Sequence, residues 1–148
     1  MNKIVMIIAA VLFLTGCGNN EKERANQLIE AARTHFEQGA LDARADIDSL
    51  RKQFPNVVEA RKAALQLHQE IELKAAQDEL AATDSLLQIA NHELDALQKQ
   101  VDQHKKALKA TPEELTLLTT TRIRRDSIRT QFETLGAKIR YIRQKQKE

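Results

Sequence analysis

The sequence predicts an all-α chain: a short helical hairpin followed by a long antiparallel coiled-coil hairpin. Three observations predict it. Ala, Leu, Gln, Glu, Lys and Arg dominate, with no tryptophan, four glycines and two prolines in 148 residues, the composition of long helices rather than of a thick globular core. Between Val57 and Ala110 there is neither glycine nor proline. Within that stretch Leu73, Leu80, Leu87, Leu94, Val101 and Leu108 recur at strict sevens, the period of a coiled-coil seam.

The elements follow in order. Met1 to Lys3 is a short basic start, and Ile4 to Leu14 is an uncharged apolar run. This fits the h-region of a secretory signal and is shorter than the roughly 20 residues a spanning helix needs. Asn20 is a candidate cap for a first helix, with Glu21 and Glu23 complementing its positive end. Leu28, Ala31 or Ala32, His35 and Phe36 recur at helical spacing, and Gly39 is placed to end the helix. A second helix from about Leu41 to Gln53 carries Ala43, Ile47, Leu50 and Phe54 on one stripe, and Pro55 stops it.

The stretch from Val57 to Ala110 reads as one helix of roughly 80 Å. Ala63, Leu65 and Leu67 are placed to cover the first hairpin. Ala76, Ala90 and Leu97 fill the companion seam position, which Thr83 and His104 weaken. Thr111-Pro112-Glu113-Glu114 then forms a capping-box signature, threonine at the cap, proline first in the helix and glutamate three after the cap. The last helix runs from Pro112 to about Gln146. Its seam is Ile128, Phe132, Leu135, Ile139 and Ile142, and Leu115 and Leu118 extend it toward the turn. Thr116, Thr119, Thr120 and Thr121 are weak helix formers that either fray near the tip or form an exposed contact patch.

A tight turn near 109–113 should fold the two seams together. Pairing about residue 111 sets Leu108 near Leu115, Leu94 near Ile128, Leu87 near Leu135 and Leu80 near Ile142. Charge agrees: Glu70 to Asp102 carries eight acids and two lysines, and Arg122 to Glu148 nine bases and three acids. Arms of opposite sign favour pairing with each other. Gly136 would lie opposite Leu86, where close packing would explain it.

Catalytic and metal patterns are not found in the sequence. His35, His68, His92 and His104 have no spacing of three or four, so no helical ligand pair arises, and no metal or other cofactor is expected. There is no Gly-rich phosphate loop, nucleophile elbow or His-Glu helix motif, and acid pairs such as Asp46/Asp48 and Asp78/Glu79 read as solvated faces. The expectation is therefore not an enzyme, with no small-molecule substrate. The basic stretch Arg122 to Thr130 has no interleaved aromatics and faces an acidic arm, so no nucleic-acid partner is expected.

Two resemblances attach to particular residues. Leu14-Thr15-Gly16-Cys17 closes the apolar run and contains the one cysteine. It resembles the bacterial lipobox. That resemblance implies a diacylglyceryl group on the Cys17 sulfur, cleavage between Gly16 and Cys17, and acylation of the new amino group. Residues 1–16 would be a cleaved signal peptide and 17–20 a lipid-anchored tether. Glycine rather than aspartate after the cysteine resembles the sorting of outer-membrane lipoproteins, with the periplasmic or surface face left open.

Residues 21–56 include "ANQLIEAARTHFEQGALDARADIDSLRKQFPN", which looks like one tetratricopeptide-type hairpin. It is similar to the repeats of outer-membrane assembly lipoproteins, in a single copy where about three are needed for a stable stack. The whole, with 57–148 as the coiled-coil hairpin, resembles small Gram-negative lipoproteins with a repeat-like start and a helical stalk. It implies a membrane-anchored spacer or scaffold with a protein partner in the envelope. The alternative is an accessory subunit of an envelope transport or assembly machine, recognising a peptide or subunit through the repeat-like hairpin.

Overall fold

The computed structural model describes residues 16–39 and 42–147, with side chains from residue 20 onward except that of Asp42. The apolar run Ile4 to Leu14 and the residues Leu14 and Thr15 lie outside the described residues. The described chain is four α-helices: α1 Gly16–Glu37, α2 Asp42–Gln53, α3 Val58–Lys106 and α4 Pro112–Lys145. The described residues fall into two compact units, divided between Ile71 and Glu72.

In the first unit α1 and α2 pack together around a core of Ala25, Ile29, Ala32, Ala43, Ile47, Leu50 and Phe54. Gly39, with φ 74°, makes the reversal after α1 in the left-handed conformation that glycine adopts freely. The stripe on α2 is as the sequence predicts. On the opening turns of α3 the buried face is Ala60, Ala64, Leu67 and Ile71. Leu67 was expected there, but Leu65 is 49% exposed. It sits one residue, about 100°, off the line through Ala64 and Leu67.

α1 starts earlier than a cap at Asn20 would allow, so Asn20 lies inside the helix and residues 17–20 are helical backbone. Once a helix is nucleated, the weak propensities of Gly18, Asn19 and Asn20 cost under about 1 kcal/mol each.

The second unit is an antiparallel helical hairpin. Ala76, Thr83, Ala90, Leu94 and Val101 are buried on α3, and Leu118, Leu135, Ile139 and Ile142 on α4. Leu73, Leu80 and Leu87 are only half-buried. The contact line therefore runs along the small companion residues in the outer part of the hairpin and along the leucine row near the turn. Thr83, which the heptad pattern marks as a weak point, is 3% exposed.

The register differs from a fold-back about residue 111. Gln98 meets Arg122 at 3.0 Å, Glu93 meets Arg124 at 3.4 Å, and Glu79 meets Gln131 at 3.1 Å. Pairing about residue 111 would have given them Arg124, Arg129 and Arg143. Leu108 and Leu115 do not close the seam, being 95% and 40% exposed. The cause is local: α3 stops at Lys106 and the chain reverses at Leu108, so α4 is met nearer its start.

Gly136 is not held by close packing. A Cβ built there would meet only the Arg140 Nη1, at 3.6 Å, and Leu86 is 52% exposed.

Candidate functional site

The turn between α3 and α4 is exposed and held by backbone and side-chain hydrogen bonds. α3 ends in a Schellman-type arrangement: the Leu108 N–H donates to the Lys105 carbonyl at 3.0 Å and the Lys109 N–H to the His104 carbonyl at 2.8 Å. The residue at the left-handed position of this motif is usually glycine. Here it is Leu108, with φ 57°.

α4 then begins from Thr111, which is extended at φ −99°, ψ 157°. The capping box forms as the sequence predicts. The Glu114 N–H donates to Thr111 Oγ1 at 3.2 Å, and the Thr111 N–H donates to Glu114 Oε2 at 3.1 Å. The other Glu114 oxygen lies 2.6 Å from His104 Nδ1 in the last turn of α3. One carboxylate thus ties the cap of α4 to the end of α3. The Thr111 N–H first, and the His104 ring beside it, hold the Glu114 carboxyl below the usual carboxylate range against the opposing effect of burial.

A second histidine does similar work in the first unit. His35, in the last turn of α1, lies 2.5 Å from Asp46 Oδ2 on α2. The sequence alone pairs neither histidine with a partner. The signal that finds them is a histidine in the final turn of one helix with an acid one turn into the next.

Around the turn the apolar surface is exposed. Leu117 is 54% exposed, and Pro112, Glu113, Thr116, Leu117 and Thr120 line a shallow depression. Lys105, Lys106 and Lys109 are exposed on either side of Leu108. In the first unit an open groove of about 590 Å³ lies at the α2–α3 corner. Arg51, Pro55, Val58, Arg61, Lys62 and Leu65 line it.

Gly16 and Cys17 open α1 as backbone, and the Cys17 side chain lies outside those described. Three arginines of the basic stretch Arg122 to Thr130 turn to the other arm: Arg122 to Gln98, Arg124 to Glu93, and Arg125 to Asn91 at 3.4 Å. Among the described residues no group of three His, Cys, Asp or Glu side chains could hold a metal ion, and no helix is long and apolar enough to cross a membrane. Comparison with known proteins gives no match, whether to a family model, a curated protein or a solved structure.

Proposed function

We propose that the chain is a bacterial lipoprotein, held in the outer membrane by acyl chains on Cys17, which serves as a spacer or scaffold for a protein partner in the envelope. The observation that carries this reading is Leu14-Thr15-Gly16-Cys17 at the end of a basic-then-apolar start. Small residues at 15 and 16 leave the backbone open to a peptidase. The Cys17 sulfur is the nucleophile that takes a diacylglyceryl group as a thioether. Cleavage of the Gly16–Cys17 bond frees an amino group for a further acyl chain. One chain binds a bilayer reversibly, whereas two or three hold it, at about 0.8 kcal/mol per buried methylene.

The start of α1 supports the reading, because helical backbone would begin at the lipid-bearing residue with no long tether. The scaffold role is supported by where the apolar side chains go. The seams are used within each unit, and the most exposed of the large apolar residues, Leu108, sits at the hairpin turn with Leu115 and Leu117 close by, while Val58, Leu65, Leu86, Ile89, Ile123 and Tyr141 are exposed elsewhere.

The test is metabolic labelling with an alkyne-bearing palmitate in Gram-negative cells making the full chain. Label on the wild type and none on Cys17→Ala is expected. An unlabelled wild type contradicts the proposal.

A further inference from the structure

The hairpin turn places Leu108 in a backbone conformation that leucine rarely adopts, with its side chain free of the fold. Its side chain is 95% exposed, and its backbone is left-handed at φ 57°, a conformation in which Cβ crowds the following carbonyl. The same chain shows the unstrained solution: the reversal after α1 uses Gly39, at φ 74°. The Leu108 side chain makes almost no buried contact in the fold that glycine would lack. Strained backbone of this kind clusters at sites of function.

The mounting is rigid. The two Schellman bonds fix the Leu108 backbone from the α3 side, and the Thr111–Glu114–His104 bonds fix the chain just beyond it. Lys105, Lys106 and Lys109 surround the leucine with positive charge.

We infer that Leu108 is an anchor side chain with which the hairpin turn docks into an apolar pocket rimmed by acidic residues on a partner protein. This rests on the scaffold reading above and names its contact. A single large apolar side chain inserted into a fitted pocket is how a few residues come to dominate binding. Holding it in one direction beforehand reduces the ordering cost of binding. The three lysines steer it toward negative charge and away from other surfaces. The rigidity favours a protein over a bilayer. A fluid lipid surface accepts apolar side chains in any orientation, so a strained, fixed direction would serve no purpose there.

The experiment uses the full chain in Gram-negative cells, with a photo-crosslinking amino acid in place of the exposed Ala107 and, as a control, in place of Tyr141. The expected result is one protein adduct from position 107 and none from 141. The attached peptide should carry apolar residues beside Asp or Glu. Leu108→Gly, which fits the same backbone, should lower the yield at least about tenfold, as should Lys105→Glu/Lys106→Glu/Lys109→Glu. A lipid adduct, an adduct to a second copy of this chain, no adduct, or a yield indifferent to these changes would overturn the inference. The mass of the uncrosslinked chain in the same sample reads acylation of Cys17. An acylated chain with no adduct defeats this inference alone. An unacylated chain with the adduct defeats the anchor alone.

Discussion

Replacing Leu108 by glycine should make the protein more stable. The size follows from the conformation and exposure of this residue. At 95% exposure the leucine side chain has almost no buried area to lose. Relief of the left-handed backbone at φ 57° is worth about 1–2 kcal/mol. Against this, glycine adds conformational freedom to the unfolded chain, costing about 0.4–1 kcal/mol. The balance is a gain of between about 0 and 1.6 kcal/mol, centred on about 0.8 kcal/mol. Urea unfolding followed by helical circular dichroism measures it, with the midpoint moving up and the slope unchanged. Alanine at the same position keeps the Cβ and should show no gain. A Leu108→Gly variant less stable than wild type would refute the reasoning, because it would mean that the leucine side chain supports the fold. A gain in stability together with loss of the crosslink at the turn would be a stability–function trade-off at one residue.

Four further outcomes follow from the same contacts. Gly136→Ala should stabilise by about 1 kcal/mol, the ordinary helix-interior difference, since its Cβ meets only the end of Arg140; a lower melting temperature would restore the idea of close packing there. Thr111→Ala should cost about 1 kcal/mol through the lost cap, and an unchanged urea midpoint would contradict the capping box. Leu94→Asp should cost more than about 3 kcal/mol, because Leu94 is 7% exposed within the hairpin seam; unchanged helicity and melting would contradict the hairpin. The fourth concerns acid. The Glu114 carboxyl is held low in the folded chain, so its contribution is present above the ordinary glutamate range and is lost as pH falls through the folded value. Melting temperature against pH should therefore have a shallower acid limb in Glu114→Gln, and superimposable profiles would remove Glu114 from the account.

What could be read from the sequence, and what could not, divides along a physical line. Patterns that depend on the chain's own periodicity were legible. The stripe Ala43, Ile47, Leu50 and Phe54 is buried as a unit, Gly39 and Pro55 punctuate where their backbone chemistry requires, and the capping box at Thr111 forms. Features that depend on how one helix meets another were not. The register slipped because the end of α3 has no glycine to mark it, so a leucine in the left-handed position read as one more heptad residue. Residue type alone points Leu65 to the core, whereas the helical phase set by Ala60, Ala64 and Leu67 puts it outside. Gly136 invited a packing explanation that the opposing arm does not supply. The histidine–carboxylate pairs His35–Asp46 and His104–Glu114 needed the turn geometry before their partners could be known. Of the candidate site, Cys17 rests on its sequence context, whereas Leu108 emerged from a dihedral angle that no sequence pattern announces.

The central claim is that Cys17 carries the lipid by which this helical scaffold is held. The direct measurement is the intact mass of the full-length gene product extracted from membranes, beside that of Cys17→Ala. The account predicts that the wild-type chain lacks residues 1–16 and carries the added mass of a diacylglyceryl group and a further acyl chain, and that the variant carries neither addition. A wild-type mass equal to that of an unmodified polypeptide would contradict it.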